Sequence, residues 1–563
     1  MTLDVIIHGG YVLTMEGPGS GMIPNGAVAI RGDSIVAVGP APEILKQYSA
    51  HRYVDAHDHA VLPGLIDCHI HTSNAIVRGG SQDIAKWMYS GVLPLLSLAE
   101  TEDLVAGSML NIIEAVKKGT TTFCDYDFPM LELIKNHIAA GTRVVAAEMI
   151  NGLPTVTYGV EDTALREFDT ARENKKFSDA VRLVEKYHQT YNGRITCMMG
   201  PQASEMCSVP LLKEIRSYAE KMNLGIHMHV AQSPRETRQV MQRYGKRPVE
   251  LLDELGYLDR RLHTAHITET TAAERALLAE RGVSMALCTG SIGIINGEIP
   301  PAQDYMALAG RVGLGTDQAP GNNCNNLFNE MKFTSILHKV KNTDPTSFPA
   351  WKVLRMATIE AAQCMGMEES VGSLRAGKKA DVVLVALDTP AMSPVLAWPV
   401  RNIVPNLVYS ASGSEVDTVL IDGAFVVENG RMRTIDEDAE IKRANRCAQL
   451  LCQRLEATGW EKDIRQMPFC HLCFRSTSEL PEANSVPAIQ RRIPEFRLHP
   501  CCFEYSLFLR SRSTSFIASV EHLGAFGDDH KKRYSPVFSR RLWGGKHLVF
   551  DLYSCNIAPS SLG

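Results

Sequence analysis

No run in this 563-residue chain is apolar for long enough to cross a bilayer, which takes about 20 consecutive apolar residues in a helix. The opening Met1-Thr-Leu-Asp-Val-Ile-Ile-His8 has no basic stretch ahead of an apolar core, so no secretion signal is expected. Positive charge is not in excess. The formal net charge of -5 gives no electrostatic footing for nucleic acid or a membrane surface as the main partner. The 14 cysteines are not spaced as a disulfide framework. Without a secretion signal they read as reduced, mostly buried thiols, and the expected location is the cytoplasm. Internal repeats are lacking beyond an alternation of strand and helix patterns. What remains, 45% hydrophobic and 21% charged, is an ordinary globular composition, long enough for one large domain and a smaller companion.

Residues 1–60 alternate as strands around Gly-Gly and Gly-Asp turns. They are too few to bury a core alone. Between 61 and 370 the pattern changes to near-continuous apolar runs separated by amphipathic stretches. The runs are Val61–His71, Thr120–Asp127, Thr142–Ile150, Ile195–Gln202, Gly225–Gln232, Arg261–Ile267, Val283–Cys288 and Arg311–Asp317. Parallel strands covered on both faces read this way. Eight of them with helices between predict an α/β fold, a (β/α)8 TIM-like barrel. Long insertions over 72–101 and 151–190 would be loops above its active face. Residues 371–435 return to strands and can complete the N-terminal segment as a small composite β-sandwich. Residues 436–460 read as a closing helix. From 461 to 563 neither period is sustained, and a poorly ordered tail is expected. Its Cys470-His-Leu-Cys473 and Cys501-Cys502 fall short of the two spaced pairs of a zinc knuckle. The His-X-Glu…Pro-Cys-X-X-Cys signature of the zinc deaminases is absent, since Phe469 precedes Cys470.

Chemistry concentrates at strand ends. His69 and His71 close the first barrel strand, two apart and therefore on one face. His57 and His59 have the same spacing but lie in the polar stretch before the Pro-Gly turn. That places them at the opposite face of a barrel, where they read as solvated. The fifth strand ends in His227-Met-His229, the sixth in His263-Thr-Ala-His266 and the eighth in Asp317. His227 and His263 read as residues packed within their strands or bonded to a backbone carbonyl. Three imidazoles and a carboxylate (His69, His71, His229, Asp317) suit one divalent ion, zinc with iron(II) as the alternative, leaving a position for water. Such an ion lowers the pKa of water toward ~7. Asp317 can take the water proton, and His266 can orient the water and steady an anionic intermediate. Arg78, Trp87 and Met88, in the loop after the first strand, could wall a flat heterocycle. Cys68, Cys124 and Cys288 read as small core residues.

This constellation resembles the amidohydrolase superfamily, in the branch of the triazine hydrolases, methylthioadenosine/S-adenosylhomocysteine deaminases and guanine deaminases. The residues that carry the likeness are Leu62-Pro-Gly-Leu-Ile-Asp-Cys-His-Ile-His71, Arg78-Gly, Gly119-Thr-Thr-Thr, His229-Val-Ala, Ala265-His266, Gly313-Leu-Gly-Thr-Asp317 with Asn322-Asn, and Gly372-Ser-Leu-Arg-Ala-Gly-Lys-Lys-Ala-Asp381. The resemblance covers about residues 1–460. It implies a hydrolase of carbon–nitrogen bonds other than peptide bonds, a deaminase of an aminated purine, pyrimidine or triazine. It implies the same four ligands, His266 acting on the water, a single ion, since no lysine carbamate is expected, and a homodimer as a common state.

Three positions depart from the deaminase pattern. The third residue after the strand-five histidine, a glutamate that shuttles the proton in that branch, is Gln232 here, and an amide cannot relay a proton by titrating. The substrate-binding histidine after Gly-Pro is Gln202. The Ser-Asn after strand seven reads Ser291-Ile292. All the departures fall on the substrate side. They leave three expectations: a deaminase, a hydrolase of a cyclic amide or of another leaving group, and a metal-binding homologue without turnover.

Overall fold

The computed structural model describes residues 2–83, 87–154, 165–458, 505–512 and 515–522. The chain opens with β1 (Thr2–Leu13), β2 (Met22–Arg31), β3 (Ser34–Pro40), β4 (Ser49–Asp55) and β5 (His59–Pro63). Parallel strands follow: β6 (Leu65–His71), β7 (Thr120–Asp127), β8 (Arg143–Ile150), β9 (Ile195–Cys197), β10 (Gly200–Pro201), β11 (Ile226–Val230), β12 (Leu262–His266), β13 (Ser284–Leu287), β14 (Arg311–Leu314) and β15 (Asp317–Gln318). Then come β16 (Val382–Ala386), β17 (Val416–Ile421), β18 (Ala424–Glu428) and β19 (Arg431–Met432). Helices fill most of the intervals between the parallel strands, a mixed α/β architecture.

The first and last groups form one nine-stranded sheet in the order β19-β18-β17-β16-β5-β1-β2-β3, with β4 paired to β1. Its join is the antiparallel pairing of β5 with β16, Val61 opposite Leu384. The continuous strand expected over Val61–His71 is thus two strands serving two sheets. The break is Gly64, whose N–H donates to the Asp381 carbonyl (2.9 Å). A Cβ there would lie 2.0 Å from Thr121 Oγ1, so only glycine lets the chain cross.

The parallel strands pair as β10-β8-β7-β6-β15, with β9 on β8, and as β11-β12-β13-β14. Every residue of β6, β7 and β8 is buried, as strands covered on both faces require. Between the two sheets, Met199 and Ile226 form a parallel bridge. Breaks at 198–199 and 315–316 split two of the expected strands. The segment 151–190, read as an insertion, contains a helix over Thr170–Tyr187. Its inward face carries Phe177, Ala180, Leu183, Val184 and Tyr187, spaced one to three apart on an otherwise highly charged stretch.

The helix Glu437–Ala457 closes over the loop after β6. Ala444, Cys447, Leu451 and Leu455, spaced three or four apart, bury against Ile76, Val77, Leu95 and Ala106. The nine described cysteines are unpaired, and Cys68, Cys124 and Cys288 are fully buried. Among the described residues no helix is long and apolar enough to cross a membrane. Within the segment expected to lack order, Tyr505–Arg512 and Ser515–His522 pair as an antiparallel hairpin. Cys470, Cys473, Cys501 and Cys502 lie outside the described residues, as does the rest of that expectation.

Candidate metal centre and active site

Four strands bring their ends to one rim. β6 ends at His69 and His71, β11 carries His229 as its next-to-last residue, β12 ends at His266 and β15 begins at Asp317. β15 lies parallel to β6, with Asp317 opposite Ile70. Gly315 permits that approach, because a Cβ there would sit 3.0 Å from the backbone N and O of His69. All five side chains are buried, none more than 6% exposed. His266 (φ +78°) and Asp317 (φ +61°) hold left-handed backbone. For residues other than glycine that conformation costs on the order of 1–3 kcal/mol, and it aims both side chains back over the strand ends.

Asp317 Oδ1 lies 3.5 Å from His69 Nε2 and 3.4 Å from His71 Nε2. Those distances are long for hydrogen bonds. Two ligands each about 2.1 Å from one tetrahedral ion stand about 3.4 Å apart. His69, His229 and His266 offer ligand atoms within 4.8 Å of one another, as do His69, His71 and Asp317. His69 Nε2, Asp317 Oδ1 and His266 Nδ1 are buried without a protein partner, a costly state unless something else binds them. His229 donates from Nδ1 to the Gln202 carbonyl (2.9 Å), which leaves its Nε2 lone pair free. The donor set therefore fits a divalent cation.

Electrostatics favour the same occupant. Burial pushes His69 down to about 3 and holds His229 well below its ordinary value. Burial would raise Asp317, but the neighbouring His69, His266 and His71 rings outweigh it and hold the carboxyl well below its ordinary range. Burial thus disfavours charge on His69, His229 and His266, beside one carboxylate. Ser291 Oγ donates to Asp317 Oδ2 (2.5 Å) and Asn325 Nδ2 to the Asp317 carbonyl (3.1 Å), leaving Oδ1 as the inward oxygen. Asp67 accepts from Thr316 N and Oγ1 and from His69 N, so one carboxyl joins the two ligand-bearing segments.

The remaining expected residues divide. His263 is confined to its strand, donating to the Cys68 carbonyl and bonded to Ser284. His57 is exposed beside Asp55, but His59 is not solvated: it sits in β5, 18% exposed, 2.9 Å from Asp417. Arg78 pairs with Glu114 (2.5 Å) and donates to the Asn323 carbonyl; Trp87 is buried and donates to the Pro320 carbonyl (3.1 Å). Both bind the loop after β6 to the turn after Asp317, so their polar atoms are already engaged. Gln202 holds His229 through its backbone, and its side chain accepts from Asn151 (2.5 Å). Gln232 is half-buried, its backbone N–H on Glu236, and among the described residues its carboxamide makes no hydrogen bond. Two supporting residues stand outside the expected set: Ser291 as a partner of Asp317, and Asp67, two residues before His69. The Ser291–Asp317 and Asp67–Thr316 contacts have no local signal, because each joins residues distant in sequence.

Residues 60–426 match the Amidohydrolase family. The chain belongs to the amidohydrolase family. A shorter stretch, 26–48, matches an Imidazolonepropionase-like composite domain of bacteria. This amidohydrolase is 33% identical over 436 residues to the 5-methylthioadenosine/S-adenosylhomocysteine deaminase of Moorella thermoacetica, covering 77% of this chain and 96% of that one. It is 31% identical over 456 residues to the 5'-deoxyadenosine deaminase of Methanosarcina mazei, covering 81% and 100%. A crystal structure of an adenosine deaminase from Xanthomonas campestris with bound zinc superposes with a TM-score of 0.73 at 27% identity, covering 80% of this chain and 99% of that one. This amidohydrolase is accordingly a metal-dependent hydrolase of carbon–nitrogen bonds other than peptide bonds.

Proposed function

We propose that this enzyme removes an amine from an aminated heterocycle, a purine such as adenine in a nucleoside, or a pyrimidine or triazine. The observation that carries the reading is the pair of clusters sharing His69, one with His71 and Asp317 and one with His229 and His266, in which His69 Nε2 and Asp317 Oδ1 are buried without a protein partner. His69, His71, His229 and Asp317 would hold a single zinc ion, or iron(II), which when bound supplies an acidified water and polarisation of the bond under attack. Asp317 would also be the carboxylate that takes the water proton, held in place by Ser291 at Oδ2. His266 donates a hydrogen bond to the oxygen that attacks and steadies the charge developing on the ring. Gln232 and Gln202 are the substrate-side positions, with Arg78 and Trp87 fixing the wall behind them. The parallel strands are read as a closed (β/α)8 barrel over 61–370, supported by the Met199–Ile226 bridge on one side and the β15–β6 pairing on the other. Residues 1–60 and 371–435 are read as a composite β-sandwich, 436–460 as its closing helix and 461–563 as a separate tail.

The test is ammonia release from zinc-loaded protein against a panel of 5-methylthioadenosine, S-adenosylhomocysteine, 5'-deoxyadenosine, guanine and aminotriazines. Turnover that is lost on chelation and regained with zinc is expected. Zinc-replete protein that releases no ammonia from any of them would sink the deaminase reading. Gln232 favours a second reading, opening of a cyclic amide, because an amide at that position cannot carry the proton to a leaving amine. Gln232→Glu separates the two. Under deamination the substitution raises kcat for ammonia release at least about tenfold, since a positioned general acid contributes about 10²–10⁴-fold. Under amide opening it leaves ring-opening rates unchanged.

A further inference from the structure

We propose that His227 is a positioning residue that fixes which nitrogen of His69 faces the metal centre. The inference rests on the proposed role of His69 as a ligand. His227 lies two residues before His229 on β11 and is fully buried. Its Nδ1 is 3.0 Å from the His263 carbonyl and its Nε2 is 2.7 Å from His69 Nδ1. A carbonyl can only accept, so His227 Nδ1 carries a hydrogen. The His227 ring is neutral: it stacks on His263 at 4.7 Å, meets Tyr126 edge-on at 4.8 Å and, among the described residues, bonds to no carboxylate. An unpaired cation in that setting would bear an uncompensated desolvation cost. Its Nε2 is therefore an acceptor. His69 must donate to it from Nδ1, and a neutral His69 then has its lone pair on Nε2. That atom is the buried, unpartnered one 3.5 Å from Asp317 Oδ1.

The direction of each bond follows from the one before, and the chain starts from a backbone carbonyl that cannot reverse. Without the His227 acceptor, His69 would be free to place its hydrogen on Nε2, where it would face Asp317 and block ligation. Cys124, His227 and His263 also cluster closely enough to suggest a second ion site. The ring nitrogens of both histidines are already spent on hydrogen bonds, so the cluster supports the first site rather than forming another.

The test reads zinc affinity by competition with a chromophoric chelator, with no substrate present. His227→Phe keeps a ring but removes the acceptor, and a 10–100-fold weaker zinc Kd is expected, the usual loss for a partner of a metal ligand. His227→Gln, whose side-chain carbonyl can accept from His69, should recover most of that loss. Equal zinc affinity in the wild type and His227→Phe would overturn the inference while leaving the metal centre standing. Zinc binding absent from the wild type would overturn both. Because His227→Phe can fail to fold, the imidazole ¹⁵N shifts of metal-free wild-type protein provide a second reading. His69 with its hydrogen on Nδ1 is expected, and a hydrogen on Nε2 would overturn the inference.

Discussion

Asp317→Asn should leave the protein folded and cut kcat by about 10²–10⁴-fold, the range associated with a general base. The amide preserves the shape of the side chain and can still accept from Ser291, which bonds Oδ2 at 2.5 Å. Asparagine also tolerates the left-handed backbone at this position, φ +61°, where alanine would add strain of its own. Two functions go nonetheless. With the amide oxygen held by Ser291, the inward position becomes an NH2 group, so the proton released by the attacking water loses its acceptor. The only negative charge among the four expected ligands also disappears, leaving neutral imidazoles to hold a dication. Zinc affinity should weaken alongside kcat, and saturating zinc should restore binding but not turnover. Steady-state kinetics at saturating zinc, with the melting temperature of the metal-free protein as a control, check the result. A variant that keeps more than about a tenth of kcat would remove Asp317 from the proton path.

The parts of this site that could be seen in the sequence are those where chemistry and period coincide. His69 and His71 stand at the end of an apolar run, and strand alternation places them on one face before any contact is known. His57 and His59 have the same spacing and were expected to be solvated; that holds for His57, whereas His59 is tied to Asp417, 358 residues away. The eight strand runs were legible because buried parallel strands are continuous in apolar residues. Their interruptions were not, since Gly64 and Gly315 are set by what lies opposite them, Thr121 and His69. Trp87 and Arg78 show the same limit. An aromatic and a cation in a long loop near a metal site suggest substrate contact, yet their polar atoms bond Pro320, Glu114 and Asn323. The mid-chain helix Thr170–Tyr187 does carry a helical period in Phe177, Ala180, Leu183, Val184 and Tyr187, but it lies inside a stretch taken whole as an insertion. Gln232 is the reverse case. Its importance came from resemblance, and its free carboxamide is consistent with a side chain kept for a ligand.

The largest stability effect should come from the opposite end of the same strands. Arg143, the first residue of β8, is 1% exposed. Its guanidinium makes a two-pronged contact with Asp381, Nε to Oδ2 at 2.8 Å and Nη2 to Oδ1 at 3.0 Å, and it also bonds Asp422. Asp381 ends the Gly372–Asp381 turn and enters β16; Asp422 follows β17. One arginine therefore fastens the parallel strands to the nine-stranded sheet. Burial would lower the Arg143 pKa, and Asp381 with Asp422 more than reverses that. Arg143→Met strands the buried Asp381 without its counter-charge, while the half-buried Asp422 keeps Arg194 at 3.8 Å; removing one partner of a buried pair costs about 3–5 kcal/mol. The melting temperature should drop sharply, while kcat of the protein that remains folded stays near the wild-type value, because the metal centre lies at the other end of the strands. Lysine should not substitute well, since a point charge cannot reproduce the fork. Adding Asp381→Asn and Asp422→Asn to Arg143→Met removes the carboxylate charges and should recover part of the loss. If that triple variant melts no higher than Arg143→Met alone, the ion pairs contribute only packing, and the link between the two sheets rests on the β5–β16 pairing instead.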